Sequence, residues 1–336
     1  MISNRIKLAR QASCLSLQQL ADKMSELSVP ITKGTLSNYE TGRTPFPPSL
    51  IPVLSAVLGA PEDFFYQKDW EDFHLAITTP LPALPSSRLA ELASYVQINL
   101  ERYVHVSALL QCPPCNPSFS PIQVQADPVS IQKACQRIRK DWEIGSYAIP
   151  SVCTLLEQHG WFLTSLPDSF GHICFSGIEH SHKIPFMFYT PIPFIDEFRM
   201  ALLKEWGRTL LSCKKEEEDF VFPCFAREML LPAAVVYQQF GTNRTAISDE
   251  ELGLAKQKYG IARYEIMLHL RELGVISQTY YNSFLTYFNQ NIFMLRDNQF
   301  SGSHGFYEVP SLYSGLAARA MAENLLPKSG VAHLKD

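Results

Sequence analysis

The chain has 336 residues, 46% of them apolar and 18% charged, with a formal net charge of −4 and a pI of about 6.2. That length predicts two or three domains with sizeable cores, and the mild acidity excludes a polyanion binder acting through bulk charge. No run of about 18 uncharged apolar residues marks a membrane span, and Met1 to Arg5 carry no apolar signal segment, so a cytoplasmic chain with its eight cysteines reduced is the expectation.

From the N-terminus, Arg5 to Gln11 opens a basic first helix. Ser16 can cap a second, in which Leu17, Leu20, Ala21 and Met24 recur at i, i+3, i+4 and i+7. The segment Thr32-Lys33-Gly34-Thr35-Leu36-Ser37-Asn38-Tyr39-Glu40-Thr41-Gly42-Arg43 reads as a third helix closed by Gly42, with small polar and basic residues on its outer face. Two short amphipathic helices of this kind are what a major groove accepts. A proline-rich stop follows, Thr44 to Ser49. Ser49 can cap a helix over 50–58 ended by Gly59, and Pro61 to Tyr66 starts a fifth short helix or turn.

This order resembles the lambda repressor/Cro-like (XRE) helix-turn-helix family over about residues 4–68. The resemblance is carried by Leu20-Ala21, Leu36-Ser37-Asn38-Tyr39-Glu40, Gly42 and the apolar run after it. It implies a transcription regulator that binds double-stranded DNA, expected as a homodimer, through Gln18, Thr32, Lys33, Gly34, Thr35, Ser37, Asn38 and Arg43. Two departures stand out. The family carries a phosphate-touching Gln at the start of the second helix, where Leu17 stands here; either Gln18 takes over or the contact is lost. The turn through Ser25 to Pro30 is also longer than usual. Residues 1–70 hold seven basic side chains (Arg5, Lys7, Arg10, Lys23, Lys33, Arg43, Lys68) against six acids, so binding would rest on a few placed contacts and on dimerisation. The competing reading is a helix-turn-helix used for protein contacts.

Thr78 to Pro85 looks like an extended spacer. Ser86 or Ser87 can cap a helix from Arg88 to about Leu110, with Leu89, Leu92, Ala93, Val96, Leu100, Tyr103 and Val104 on one side. Such a helix either dimerises or packs on the next domain. Cys112-Pro113-Pro114-Cys115 then sits among prolines. It can be two thiols in a rigid loop, a regulatory disulfide or half of a metal site; His180 and His182 would complete the last only by a coincidence of folding.

Helices are predicted over 131–142 and 151–159, strands at Trp161-Phe162-Leu163, Cys174 to Gly177 and Ile184 to Tyr189, and a long helix over 196–213. This succession resembles the ImmA/IrrE family of zinc-peptidase-like regulators, whose long helix carries HExxH after an Arg. Here Arg199 leads to Lys204-Glu205-Trp206-Gly207-Arg208, and Phe225-Ala226-Arg227-Glu228-Met229-Leu230-Leu231-Pro232 matches the end of the family's next helix, whose Ala-Asn is replaced by Phe222-Pro223. The resemblance covers about residues 126–290. Two His at i, i+4 can share one Zn²⁺; Lys204 and Arg208 in their places are cations without a free lone pair. No catalytic residue, metal or cofactor is therefore expected, and Glu205 has no acidified water to work with. The alternatives are an active metallopeptidase that cleaves a repressor, or an antitoxin-like binding protein. Lys204, Glu205, Trp206, Arg208 and Phe225 are expected around a surviving pocket for an anionic small molecule or acidic peptide. The competing expectation is that Glu205 and the acids at 217–219 neutralise both cations and close the cleft.

Helices at 249–260 and 262–274 resemble the segment with which the same family finishes its peptidase domain, and they also resemble a second helix-turn-helix. Glu265 and Glu272 suit packing better than phosphate contact, and His269 is expected at a helix surface or core edge. Leu312 to Leu326 is an Ala-rich helix. The expected fold is mainly α with a smaller α+β part: a five-helix DNA-binding domain (1–75), a proline-rich linker and helix (76–125), a zincin-like α+β domain (126–295) and a helical tail (296–336).

Overall fold

The computed structural model describes residues 2–70, 73–79, 81–114, 120–290 and 308–326. Cys115, the boundary at residue 295 and the outer parts of the tail lie outside these residues. The chain is mainly helical with a small mixed sheet. Among the described residues no single helix is long and apolar enough to cross a membrane.

The head contains α1 (Ile2–Ala12), α2 (Leu17–Glu26), α3 (Lys33–Glu40) and α4 (Ile51–Leu58) around a core of Ile6, Leu20, Met24, Leu36, Leu54 and Phe65. Ser16 caps α2 in a full capping box with Gln19, as its sequence predicts. Ser49 caps nothing. Pro48 starts a 3₁₀ turn there, and α4 begins after it with no side-chain cap. Gly42 ends α3 with a φ of 72°, a left-handed value that glycine adopts without a Cβ penalty.

Helix α5 (Ser86–Leu109) follows. Pro85 occupies its N-cap position, so neither Ser86 nor Ser87 caps it. Its apolar residues do not form the single stripe that the sequence predicts: Leu89 is exposed, while Ser94 and Ile98 are buried. Three partners explain this. Ile98 belongs to the head's core; Leu92, Val96, Leu100 and Tyr103 pack on the sheet; Val106 and Leu110 meet Ala320 of the last helix. The helix packs on its neighbours, one of the two roles that its sequence left open.

The sheet has the order β1 (Leu75–Ile77), β4 (Cys174–Glu179), β5 (Ile184–Tyr189), β3 (Phe162–Ser165). Pairing is antiparallel except between β3 and β5. β5 is buried on both faces, which its unbroken apolar run requires. Ile184, Phe186 and Phe188 join the cluster containing α5, whereas Met187 and Tyr189 join the body core; side chains of a strand alternate between faces. β1 lies in the stretch expected to link the domains. Residues 75–79 lie along the edge of β4 instead, where Gly177 lets them in: a Cβ there would stand 2.5 Å from the Ala76 carbonyl oxygen.

The body continues with α6 (Pro128–Asp141), capped by Asp127, α7 (Val152–Gln158), capped by Ser151, and α8 (Ile195–Leu210). A small parallel pair joins β2 (Ile122–Gln123) to β6 (Leu211–Ser212). Next come α9 (Glu218–Leu230), α10 (Ala233–Phe240), α11 (Asp249–Tyr259), α12 (Arg263–Glu272), α13 (Gln278–Gln290) and α14 (Leu312–Ala322). The long body helix thus ends three residues before the predicted Cys213, because β6 begins at Leu211.

The tail is tied to α7 by two carboxylates working in opposite directions. Glu308 accepts from the backbone N–H groups of Val152 (2.9 Å) and Cys153 (3.0 Å) at the start of α7. Glu157, near the end of α7, accepts from those of Ser311 (2.9 Å) and Leu312 (3.0 Å) at the start of α14. Each satisfies helix-terminal donors with an anion where the helix dipole favours one. Glu308 also pairs with Arg199, which is 0% exposed. Glu308→Ala is expected to cost about 3–5 kcal/mol, because it leaves Arg199 buried without its carboxylate. Denaturant unfolding of the variant checks this; a loss below about 1 kcal/mol contradicts it.

Candidate functional site

The outer face of α3 is set by one ion pair. Arg10 of α1 donates from Nε to Glu40 Oε1 (2.6 Å) and from Nη2 to Glu40 Oε2 (2.8 Å), and from Nη1 to the Leu15 carbonyl (2.7 Å). Glu40 is the last residue of α3 and is buried, so this bidentate contact fixes the angle of α3 against α1. With Leu36 and Tyr39 also buried, Lys33 and Gly34 are exposed and Ser37 and Asn38 half-buried. Lys33 and Arg43 carry no ion pair among the described residues. Thr32 is exposed and caps α3, accepting from Thr35 N–H, and the two hydroxyls are hydrogen-bonded at 2.9 Å. Gln18 is exposed and donates to Asp22 (2.8 Å). The eight residues chosen from the sequence thus lie on α2, on α3 and at the two ends of α3. The basic first helix contributes less than its composition implies: Arg10 is tied to Glu40, and Arg5 is buried against Glu101 of α5 and over the Phe64 ring.

The second candidate lies on α8. Glu205 is 7% exposed and accepts from the Thr79 hydroxyl, and Arg208 Nε stands 3.4 Å from its Oε1. Arg208 Nη1 also donates to Glu218 at 2.5 Å, and its guanidinium lies 4.5 Å from the centre of the Phe222 ring. This is the internal neutralisation that the acids at 217–219 offered. Trp206 and Phe225 do not wall a pocket. Both are 0% exposed in the body core, with ring centres 5.8 Å apart, and Gly207 is required beside them because a Cβ would come within 2.7 Å of Phe225. Lys204 is half-buried and has no ion pair among the described residues. No group of three or more His, Cys, Asp or Glu is placed to hold a metal among the described residues.

A third cluster is structural. Arg227 pairs with Glu265 (2.8 Å) and Glu272 (2.7 Å), joining α9 to α12. His269 is in the core rather than at its edge. Its Nε2 stands 2.9 Å from the Leu231 carbonyl and 3.3 Å from Glu228. Burial alone would push its pKa down; the carboxylates of Glu228 and Glu272 outweigh that and hold it above the ordinary histidine range. Glu228 also accepts from Ala233 N–H (3.0 Å), which starts α10 directly after Pro232.

No protein-family model, curated protein or solved structure matches the chain.

Thr79 escapes a reading of the sequence, since Thr-Thr-Pro before further prolines has the composition of a spacer. Only the nonlocal pairing of 75–79 with β4 brings it to Glu205. The Glu205 carboxyl is raised above its ordinary range by burial, opposed by the Thr79 hydrogen bond and by Arg208. Between its unfolded pKa and this raised value the native chain holds a proton that the unfolded chain has released, so stability falls as pH rises through that window. Glu205→Gln removes that titration. The melting temperature of the variant relative to wild type is expected to climb as pH rises above the ordinary glutamate range; a difference that does not change with pH contradicts the assignment.

Proposed function

We propose that the chain is a sequence-specific DNA-binding transcription regulator of the XRE helix-turn-helix type, acting as a homodimer, with a peptidase-like body that performs no zinc chemistry. The observation that carries the reading is α3. Its inner side is locked by Leu36, Tyr39 and the Arg10–Glu40 pair, while Lys33 and Arg43 are left without ion-pair partners among the described residues. A rigid short helix with small side chains and spare donors on its outer face can enter a major groove and read base edges. The near-neutral head makes the affinity depend on these placed contacts, and two heads per dimer double them.

The body supports the silent-enzyme half of the reading. At the general-base place Glu205 is occupied by Thr79 and Arg208, and Arg208 is held by Glu218. A carboxylate so engaged has no free geometry for activating a water. Lys33→Ala combined with Asn38→Ala is expected to abolish specific footprints and leave the melting temperature within about 1 °C, each lost bidentate base contact costing about 1–3 kcal/mol of discrimination. Footprints unchanged in the double variant would refute the assignment of α3.

A further inference from the structure

A cleft of about 270 Å³ lies where head, α5, sheet and tail meet, apart from both candidate sites. The head contributes the ends of α1 and α4, α5 contributes Asn99 and Arg102, β3 contributes Thr164 and Ser165, and α14 contributes Tyr313. No Asp or Glu lines it. Arg102 is half-buried and has no hydrogen bond or ion pair among the described residues. Its neighbour Glu101 is taken by Arg5 and by Gln97 (2.9 Å) and does not neutralise it. The hydroxyls of Thr164, Ser165 and Tyr313 are likewise without partners among the described residues. Asn99 spends its amide N–H on the Tyr95 carbonyl (2.8 Å), which leaves its side-chain oxygen open.

This combination is uneconomical for a purely structural junction. Among the described residues the deeply buried arginines each hold a carboxylate or carbonyl partner: Arg5 has Glu101, Arg199 has Glu308, Arg227 has Glu265 and Glu272, and Arg139 has backbone carbonyls including that of Gly145 (2.7 Å). Arg102 also borders a second cleft that Asp63 and Glu101 line, but among the described residues it pairs with neither, and the attraction that a cation without a direct counter-charge exerts on an anion grows as water is excluded. The volume lies near the lower end of the range for ligand pockets, which calls for a compact occupant.

We propose that this cleft binds a compact hydroxylated organic anion, its carboxylate or phosphate pairing with Arg102 and its hydroxyls reaching Thr164, Ser165 and Tyr313. Such a ligand touches head and body at once and ties the ends of α1 and α4 to β3 and α14. As an effector site this rests on the regulator reading; as a binding site it does not, and it is measured without DNA.

The test uses the full chain, calorimetric titration and thermal shift, with gluconate, glycerol 3-phosphate and inorganic phosphate as probes and neutral xylitol as control. At least one organic anion is expected to bind saturably at one site, raising the melting temperature by about 5 °C at a concentration about 100-fold above its Kd. Arg102→Gln is expected to weaken that probe at least 10-fold, and Lys204→Ala to leave it unchanged. Thr164→Val, which keeps side-chain volume, is expected to weaken the hydroxylated anions but not phosphate, and it serves if Arg102→Gln fails to fold. The proposal is overturned by no saturable binding of either organic anion, by equal binding in Arg102→Gln, by xylitol binding as tightly as the anions, or by a Lys204 dependence that moves the site to α8.

Discussion

Helix α5 is the constraint on which the rest of the structure depends. It is buried on three sides by three different partners: the head through Ile98 and Ser94, the sheet through Leu92, Val96, Leu100 and Tyr103, and α14 through Val106 and Leu110. The contacts are specific as well as apolar. Tyr103 stacks on Phe162 with ring centres 4.9 Å apart, and Arg5 of the head reaches Glu101. Each fully buried large apolar side chain contributes about 1.5–3 kcal/mol, so removing α5 would expose one face of the sheet and one edge of the head's core together. A head attached in this way is braced by the body rather than hung from it by a flexible linker.

Charge is organised around the same scaffold. Interior cations are neutralised in pairs that also join elements: Arg10–Glu40 sets α3 against α1, Arg199–Glu308 holds the tail to α7 and α8, and Arg227 with Glu265 and Glu272 holds α9 to α12. Breaking one partner of such a pair costs more than the pair contributes net, because the remaining charge stays buried. Against that background Lys33 and Arg43 on the head and Arg102 at the junction are among the cations that have no ion pair among the described residues.

Local patterns were legible in the sequence and nonlocal pairings were not. The i, i+3, i+4 stripe of α2, the apolar run of β5 and the cap at Ser16 are short-range signals, and each element stands where they put it. Ser49 and Ser86 failed as caps because adjacent prolines, Pro48 and Pro85, set the backbone first. β1 was invisible because its pairing partner β4 lies about a hundred residues away, and the glycine that admits it, Gly177, sits in that partner. The stripe read from the sequence omits Ser94 and Ile98, since one stripe presumes one neighbour and these two face the head. α10 was missed because Pro232 reads as a stop, whereas the Glu228 carboxylate accepts from the N–H beyond it and starts a new helix. At the Glu205 site the pairing of Arg208 with nearby acids could be foreseen from charge alone. The burial of Trp206 and Phe225 could not, because it depends on α9 lying against Gly207.

Head and body share α5 as common core, which predicts that they fold as one unit. Differential scanning calorimetry of the full chain tests it most directly. A single transition is expected, with calorimetric and van't Hoff enthalpies in a ratio near one, and Glu101→Ala should lower that one transition as a whole. Two resolved transitions in the wild-type chain, one moving with head substitutions and the other with body substitutions, would contradict the account.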